Sequence, residues 1–571
     1  MSGPETDRQC RMDITDPLVP TDRATQINQV IGAISGTEIE RQIITLASIG
    51  GILVDPTAEQ STRYATNRLA LSEADKLAAE QFTIPLMEDA DMDVIQHPFG
   101  LIGILKGKNS KLDPVVIMSH TDTVPDGDMY DGTFGVIAGI TAAKTIKDAG
   151  VKLNRDLIII SLTGEESSRF GFACFGSQSM FTGLSAEEMS SQDSQGQTIA
   201  EVIGAQHAET VRHPIFGPKG SQFATPHATI ELHVSQDKRL DRKDMEIGVV
   251  DAIAAPMRYK VRFGDDEPLK TAEAKYNYSR YIELVAQGRA DHSGATPMTP
   301  GSRIDGLLAT SQLLLEMFKS SRLKDRLAIE DIAIEGQAIN KIPGVTKTLL
   351  RISADTEEEI DNILNELSEQ IEEVENLCLQ EAEKPEDKLF FDHHEIINRQ
   401  LGALVFVKAV NTMVADPSLS KENIVGTVGT FDIDEKGVIT LGLDIRGTHK
   451  DSRDEIITRL MEMCGMLQPY SNVEFGKPLA GSGDPVKLND DLAAKAMEVI
   501  SKYEIGKATR MFSAAGHDAQ NAARAGVPTI MLFAPSRDGI AHNPAAYTSL
   551  DHLQKSARAL AALAMELGFE N

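Results

Sequence analysis

The sequence predicts an α/β protein: a split domain with a mainly parallel central sheet and helices on both faces, into which a duplicated α+β lid domain is inserted. Three observations predict this class. In the N-terminal part, a strand-length apolar run, an amphipathic helix and a second apolar run follow one another. After about residue 475 the α/β pattern returns. Between these segments, two successive units share one strand and helix layout, which indicates an insertion.

The first α/β unit begins with the apolar run Asp113 to His120. Phe134 to Ala149 carries apolar residues on one helical face and is closed by Gly150, a typical helix stop. Asp156 to Leu162 is the second apolar run, and Pro528 to Phe533 is another run of strand length. Strand, helix and strand at this spacing predict parallel pairing. Ligands of such sheets collect beyond the carboxyl ends of the strands.

The insertion is predicted over residues 252–474, with copies at about 279–384 and 385–474. The segments TLLRISADTEEEIDNILNEL and TLGLDIRGTHKDSRDEIITRL share a strand, a turn and an amphipathic helix. We interpret this as an internal duplication; the alternative is that two unrelated strand and helix units resemble each other by chance. Residues 185–229 and 264–278 are polar and are expected to be surface insertions.

Length and composition exclude several classes of protein. The 571 residues are too many for one compact core, and no apolar run approaches the ~20 residues of a membrane helix. A formal net charge of -29 argues against nucleic-acid binding. The four cysteines form no C-x-x-C, and the N-terminus has no secretory signal, so a cytoplasmic protein is expected. Residues 1–25 are polar and are expected to be disordered.

Seven side chains suited to metal binding or proton transfer flank the insertion: His120, Asp122, Asp131, Glu165, Glu166, His233 and His542. A lone histidine is usually structural and a glutamate pair is usually solvated, so only the combination of these residues carries weight. Together they supply enough imidazole and carboxylate ligands for two divalent metals and leave one carboxylate as a general base. The set therefore predicts metal-assisted hydrolysis, and residues 26–251 and 475–571 are expected to form the metal-binding catalytic domain.

Each of these residues has an expected role. Asp131, in a Tyr-Asp-Gly turn before a helix, is predicted to bridge the two metals. His120 and His233 complete one metal site, whereas Glu166 and His542 complete the other. Asp122 is expected to orient the imidazole of His120, and Glu165 is left as the base that takes a proton from the attacking water.

Four further polar residues lie in turn-rich segments and are weaker candidates for substrate binding: His292, Asn340, Arg446 and His517. Arginine can bind a carboxylate through two hydrogen bonds. Imidazole and amide donors can stabilise an oxyanion.

Several segments resemble a known family. They are SHTDTVPDGDMYDGTFGV, TGEESSRFGFACFGS, ELHVSQ, ADHSGATPM, INKIPG, LDIR, AAGHDA and PSRDGIAHNP, in the family's order over roughly residues 40 to 545. They resemble the zinc amidohydrolases that include N-carbamoyl-L-amino-acid hydrolases, β-ureidopropionases and allantoate amidohydrolases, which are relatives of the aminoacylase-like metallopeptidases.

The resemblance implies functions for individual residues. It implies that the five ligands named above bind metal, that Glu165 is the base, and that five residues contact substrate: Gln236, His292, Asn340, Arg446 and His517. Arg446 would take the substrate's carboxylate. The expected cofactors are two divalent ions, most readily zinc, with manganese or cobalt as alternatives.

The sequence also departs from the family. Asn340 and Arg446 lie in different copies of the predicted duplication, although in relatives they belong to one strand pair. Relatives are dimers in which a partner subunit can complete the site. We therefore expect a monomer with an internal pseudo-dimer in its lid, or otherwise a homodimer. Asp128 replaces a glycine of the family and Ala546 an acidic residue, which leaves the substrate open.

The expected function is hydrolysis of a linear amide or ureido C–N bond in a small substrate that bears a carboxylate, such as an N-carbamoyl amino acid. A dipeptidase or an N-acyl-amino-acid amidohydrolase is the enzymatic alternative. A non-catalytic binding protein on the same scaffold is the alternative from another class. No nucleic-acid or membrane partner is expected.

Overall fold

A computed structural model describes residues 22–55, 63–218, 221–236, 239–242, 244–264, 278–293, 298, 303–319, 323, 326–379, 399–416, 419, 424–434, 436–479 and 483–571. The predicted disordered segment 1–25 lies outside these residues except at its end, where a helix begins at Arg23. The predicted insertion 264–278 also lies outside them, apart from its two end residues.

The largest sheet has nine strands, which are β3 (Asp93–His97), β4 (Gly100–Leu105), β5 (Val115–His120), β6 (Leu157–Leu162), β9 (Ala228–Val234), β10 (Ile247–Ile253), β20 (Val486–Lys487), β21 (Ala508–Ser513) and β22 (Thr529–Ala534). Their order is β20-β10-β22-β9-β5-β6-β4-β3, and β21 also pairs with β10. The remaining short strands outside the insertion form two small sheets, β1 (Gly51–Asp55) with β2 (Arg63–Thr66) and β7 (Phe216–Gly217) with β8 (Phe223–Ala224).

The nine-stranded sheet is mixed, whereas the sequence predicted a mainly parallel one. Parallel pairing joins β22, β9, β5 and β6 in the centre, and β21 to β10. The pairs of β4 with β3 and with β6 are antiparallel, as are those of β10 with β20 and β22. All residues of the four central strands are buried, as expected for strands covered on both faces.

Helices cover both faces of this sheet, as predicted. The helices outside the insertion are α1 (Arg23–Ala33), α2 (Gly36–Ala47), α3 (Glu73–Ala78), α4 (Ile84–Asp89), α5 (Thr133–Asp148), α6 (Phe175–Phe181), α7 (Ala186–Met189), α8 (Ile199–Ile203), α9 (Ala205–Ala208), α10 (Arg239–Arg242), α15 (Asp490–Lys502), α16 (Ala519–Arg524) and α17 (Leu550–Gly568). Alternate residues of β5 point to opposite cores. Ile117 packs in the core with α1, α2, α5, α15 and α17, whereas Met118 packs in the core with α6 and α16.

Residues 255–475, here called the inserted region, form two further sheets. Their strands are β11 (Ala255–Phe263), β12 (Tyr278–Gln287), β13 (Asp291–His292), β14 (Leu327–Ile334), β15 (Lys341–Ile342), β16 (Val345–Ala354), β17 (Ile424–Ile433), β18 (Ile439–Gly447) and β19 (Val473–Phe475). Their helices are α11 (Gly306–Lys319), α12 (Glu357–Leu379), α13 (Arg399–Ala415) and α14 (Lys450–Ser471). The sheets have the orders β12-β16-β14 and β17-β18-β11-β19, and β13 pairs with β15 separately.

The two larger sheets of the inserted region belong to two units with the same topology. In the first unit, β12, α11, β14, β16 and α12 follow one another, and the third strand pairs with both others. In the second unit, β11, α13, β17, β18 and α14 have the same order and pairing. Strand β11 precedes the entire first unit in the chain, whereas the two copies were predicted at about 279–384 and 385–474.

The two units pack together through one apolar core. Helices α11 and α13 contact each other, and strand β14 contacts strand β17. The shared core contains Leu314 from the first unit and Phe406 from the second. Among the described residues, no helix has both the length and the apolar character that a membrane crossing requires.

Candidate active site

The candidate site lies at the carboxyl ends of the four parallel strands. His120 is the last residue of β5, and His233 lies near the end of β9. Glu165 and Glu166 follow β6, and His542 follows β22. Because neighbouring parallel strands end at the same edge, residues distant in sequence come together here. All five side chains are buried.

The predicted metal ligands meet around the carboxylate of Asp131. Its Oδ1 lies 2.8 Å from Nδ1 of His233, and Nε2 of His233 lies 3.1 Å from Nε2 of His120. The other carboxylate oxygen, Oδ2, lies 3.1 Å from Nε2 of His542, which is 3.0 Å from Oε1 of Glu166. Oδ2 of Asp131 therefore lies with His542 and Glu166, whereas Oδ1 faces Nδ1 of His233 and not the Nε2 atom that His233 turns toward His120.

These separations fit divalent metal ions. Ligand atoms that each lie about 2.0–2.2 Å from a tetrahedral zinc are separated by roughly 3.3–3.6 Å. The observed distances of 3.1 Å between the Nε2 atoms of His120 and His233, and of 3.0 Å between His542 and Glu166, are close to that value. Two buried imidazole nitrogens that face each other in this way suit a shared cation. The donor set of nitrogen and oxygen is also one that zinc accepts.

Three groups of buried side chains in the described part of the chain have the spacing of metal ligands. One is Asp131, Glu166 and His542; another is His120, Glu165 and His233; the third is Glu231, His233 and His517. The first matches a predicted ligand set. The second places Glu165, predicted as a base, with its Oε2 3.9 Å from Nε2 of His120. That distance is longer than the other contacts of the set, so Glu165 lies beside the ligands.

Asp122 fixes the loop that carries the two glutamates. Its Oδ1 accepts a hydrogen bond of 2.9 Å from the backbone N–H of Gly164, and its Oδ2 accepts one of 3.1 Å from Glu166. The imidazole of His120 instead lies 2.9 Å from the backbone carbonyl of Asp122 and 3.5 Å from its carboxylate. The orientation expected from the Asp122 side chain therefore comes mainly from its backbone.

Asp128 is a site residue whose role sequence reasoning missed. Its Oδ1 accepts hydrogen bonds from the backbone N–H groups of Tyr130 and Asp131, and its Oδ2 accepts one of 2.9 Å from the N–H of His542. His542 has a φ of +55°, a left-handed conformation that costs energy in a residue other than glycine. One carboxylate thus holds the backbone of two predicted metal ligands. The only signal in the sequence was its departure from the glycine of the family.

Opposite charges dominate the ligand cluster. Burial lowers the pKa of His120, but Glu165 and Asp122 outweigh it, so the pKa lies well above its ordinary value. For His542, Glu166 and Asp131 outweigh burial in the same direction. The pKa of Asp131 lies well below its ordinary value, since the neighbouring histidines outweigh its burial. The negative charge at the centre of the cluster is suited to a cation.

Glu165 has the electrostatic character of a proton carrier. Burial raises the pKa of its carboxyl well above the ordinary value, and His120 offsets this only in part. Its Oε1 lies 3.5 Å from Nδ1 of His517, whose Nε2 is 2.9 Å from the hydroxyl of Ser513. Burial, with His233 adding to it, lowers the pKa of His517 well below its ordinary value.

A small cavity opens between the sheet and the inserted region. Its lining residues are Glu165, Glu166, Ser167, Ala173, Gln236, Arg258, Asn340, Arg446, Gly516, Gln520 and His542. Three of the predicted substrate-binding residues, Gln236, Asn340 and Arg446, are among them. Gln236 donates from Nε2 to both carboxylate oxygens of Asp131, at 3.2 and 3.0 Å.

The structure places the other two predicted substrate residues less directly. His517 is not part of the lining but contacts Glu165, as described above. The backbone of His292 pairs with Lys341, and its side chain lies outside the described part of the structure. Arg258 and Gln520 line the cavity and were missed. A lone arginine on a strand and a glutamine in the first turn of a short helix have no distinguishing pattern in one sequence.

Comparison with known proteins identifies the family. The model of peptidase family M20/M25/M40 matches residues 116–566. Among curated proteins, the chain is 27% identical to an uncharacterized hydrolase of Haemophilus influenzae, covering 87% of this chain and 92% of the relative. It is 26% identical to allantoate amidohydrolase of Bacillus subtilis, covering 82% and 84%, and 25% identical to N-carbamoyl-L-amino-acid amidohydrolase of Pseudomonas sp., covering 86% and 91%.

Solved structures share the fold. A hydantoinase/carbamoylase family amidase from Burkholderia vietnamiensis has a TM-score of 0.57 at 18% identity, covering 94% of this chain and 98% of that one. The structure of AtUAH in complex with glyoxylate has a TM-score of 0.56 at 21% identity, covering 95% and 100%. The cluster around Asp131 lies at strand ends within the residues that the family model matches. Because that model spans most of its length, the chain belongs to peptidase family M20/M25/M40.

Proposed function

We propose that this protein is a metal-dependent amidohydrolase that cleaves a linear ureido or amide C–N bond in a small substrate bearing a carboxylate, such as an N-carbamoyl amino acid. One observation carries the proposal. The cavity is lined by Glu165, Glu166 and His542 from the domain with the nine-stranded sheet and by Arg258 and Arg446 from the inserted region, and we take these two sets as its two walls. A substrate with a hydrolysable carbonyl at one end and a carboxylate at the other matches both walls.

The relatives support this substrate class. The similar proteins named above are an allantoate and an N-carbamoyl-L-amino-acid amidohydrolase, and ureidoglycolate hydrolases of Arabidopsis thaliana and Oryza sativa also match, at 24% and 26% identity. By their names, these proteins act on ureido compounds that carry a carboxylate. The proposed chemistry is therefore hydrolysis of a C–N bond other than a peptide bond.

Two divalent ions are the proposed cofactors, with Asp131 between His120 and His233 on one side and Glu166 and His542 on the other. Zinc suits these ligands, and manganese or cobalt would also be accepted. Bound ions would lower the pKa of a water molecule and polarise the substrate carbonyl.

The side chains perform the remaining steps. Glu165 takes a proton from the attacking water and passes it to the leaving nitrogen, for which its raised pKa is suited. His517, with Nδ1 3.5 Å from Glu165 and Nε2 2.9 Å from Ser513, would hold the carboxyl of Glu165 in position. Arg446 and Asn340 orient the substrate from the inserted region, and burial of the cavity excludes bulk water.

The test compares two neighbouring glutamates. For Glu165→Gln we expect normal metal content and a turnover that falls roughly 10²- to 10⁴-fold, because only the proton carrier is lost. For Glu166→Gln we expect metal to be lost as well, since this residue belongs to the ligand cluster. The panel contains N-carbamoyl amino acids, N-acyl amino acids and dipeptides, each assayed with added Zn²⁺, Mn²⁺ or Co²⁺. Equal turnover by Glu165→Gln and wild type would refute the proposed base.

The same panel decides between the main proposal and the second candidate, a dipeptidase or N-acyl-amino-acid amidohydrolase. The second candidate is favoured by the family model itself, which describes peptidases. Cleavage of dipeptides or acyl substrates at least as fast as of carbamoyl substrates would support it.

We further propose that residues 252–474 are a duplicated lid that forms an internal pseudo-dimer on the domain of residues 26–251 and 475–571. The two units share one topology and contact each other through α11 with α13 and β14 with β17. Asn340, between β14 and β16, reaches the cavity from the first unit, whereas Arg446 on β18 reaches it from the second. Both copies thus complete one site within one chain. A monomer is expected by light scattering, and an obligate dimer would count against the proposal.

A further inference from the structure

We propose that Arg258 acts with Arg446 as a two-guanidinium clamp that binds the carboxylate of the substrate and makes the enzyme selective for anionic substrates. The inference rests on the proposed function and assigns a specificity residue that sequence patterns did not reveal. Arg258 lies on β11 and Arg446 on β18 of the second unit, and both line the cavity.

The two arginines are held by one buried carboxylate. Asp444 on β18 is the direct cross-strand neighbour of Arg258. Its Oδ2 lies 2.8 Å from Nη2 of Arg446 and 3.5 Å from Nε of Arg258. All three residues are at most 2% exposed. Their positions are therefore fixed by the sheet before any substrate arrives, which reduces the entropy that binding costs.

The charges of this cluster indicate why Arg446 alone is insufficient to bind the substrate's carboxylate. Arg446 donates from Nε to both oxygens of Asp444 and from Nη2 to Oδ2, so alone it would form a neutral ion pair. Arg258 adds a second positive charge to the same cluster. Asp444 is not part of the cavity lining, and among the described residues the inserted region contributes only two guanidinium groups and the amide of Asn340 to that lining. The wall facing the substrate therefore carries positive charge.

Further charges surround this cluster and do not cancel the effect. Arg303 is partly buried nearby and donates to the backbone carbonyl of Ser293, while Ser293 donates from its hydroxyl to Asp444. Burial lowers the pKa of Arg258, Asp444 offsets this and Arg446 adds to it, as expected for two like charges in one dry cluster. An incoming carboxylate relieves that repulsion.

The experiment compares Arg258→Met with wild type on N-carbamoyl-alanine and on N-carbamoyl-alaninamide, which lacks the carboxylate. Loss of hydrogen bonds to a charged group predicts a KM for the acid that rises roughly ten- to a hundred-fold. Turnover number is expected to change less than about threefold, because the reacting atoms are not touched. KM for the amide should stay within about threefold of wild type. Arg258→Lys should raise the KM for the acid less than Arg258→Met, because the charge is kept.

Two controls separate binding from folding. Lys260→Met removes the same charge from an exposed position on the same strand and should leave both KM values unchanged. Thermal melting and metal content of each variant report whether the lid and ligand cluster are intact. If Arg258→Met does not fold, Arg258→Lys carries the test through its selective effect on the acid.

A double variant, Arg258→Met with Asp444→Asn, distinguishes contact from mere charge balance. The clamp predicts that removing Asp444 does not restore the KM for the acid. Restoration, or an equal rise in KM for acid and amide, would overturn the inference while the proposed function stands. If wild type hydrolyses no member of the substrate panel, the proposed function fails and the clamp falls with it.

Discussion

The substitution Gly132→Ala should displace the imidazole of His120, one of the predicted metal ligands. Gly132 lies just before α5 with a φ of +63°. A Cβ added there would lie 2.3 Å from Nε2 of His120 and 2.4 Å from Cδ2 and Cε1, above the face of the ring. Ordinary contact begins near 3.4 Å, so the imidazole must move by about 1 Å.

The ring of His120 has little freedom to make that movement. Its side chain is fully buried, with Nδ1 2.9 Å from the carbonyl of Asp122 and Nε2 3.1 Å from His233. Metal–ligand distances tolerate about 0.2 Å, so a 1 Å displacement is incompatible with normal binding. We expect weaker binding of the metal that His120 holds and a loss of kcat/KM of roughly 100-fold.

The assay is metal content per chain after dialysis, together with kcat/KM at low and high added metal. Gly150→Ala is the matched control, because Gly150 ends the same helix with a φ of +68° and has no atom within 4 Å of the added Cβ. Alanine at either position has an unfavourable positive φ, and at Gly132 the ψ of −52° lies outside the left-handed helical region, so thermal melting of both variants is needed to separate backbone strain from crowding. Equal metal content and kcat/KM in the two variants would show that crowding of His120 affects neither metal binding nor catalysis, which would contradict this prediction.

Three other changes have defined outcomes. In Asp128→Asn, the side-chain NH₂ group would face at least one of the backbone N–H groups that the carboxylate now accepts from. We expect a 10- to 100-fold loss of activity or metal affinity, measured by titration of the apoprotein with Zn²⁺. Burial lowers the pKa of His97 to about 4. As the pH falls, His97 therefore takes up a proton in the unfolded chain before it does so in the folded protein. The free energy of unfolding should fall by roughly 3 kcal/mol between about pH 6.5 and 4. Urea unfolding of the His97→Gln variant should not show this decrease. Chelation should lower the melting temperature and abolish turnover, and Zn²⁺ should restore both; an unchanged melting curve would contradict a metal inside this cluster.

Local patterns predicted the elements and the edge of the sheet where the candidate site lies. The helix stop at Gly150 is confirmed, since α5 ends at Asp148 and Gly150 takes a positive φ. Placement of His120 and Glu166 at neighbouring strand ends followed from the rule for parallel strands, and the structure brings them into one cluster. Such features depend on a few consecutive residues and on a general rule of topology.

Features set by distant pairing were not predictable. The direction of β4 and β10 relative to their neighbours leaves no mark in a buried apolar run, which reads alike in either orientation. Assignment of β11 to the second unit requires its partner β18, far along the chain. The roles of Arg258 and Asp128 depend on the same long-range contacts. Local sequence patterns contain no information on which strands pair, so they cannot reveal the roles of these two residues.

The order of strands in the inserted region determines how long each strand waits for its pairing partner during synthesis. Strand β11 leaves the ribosome first, but its hydrogen-bonding neighbour β18 follows only after all of β12 to α12 has been made. Meanwhile the apolar side chains of Val261 and Phe263 have no native cover. The first unit, whose strands pair locally, is then free to form as a nascent hairpin-rich module before the chain closes around it. Release of an incomplete chain before Ile439 would leave β11 without its neighbour, and such fragments should aggregate more readily than fragments that end after Gly447.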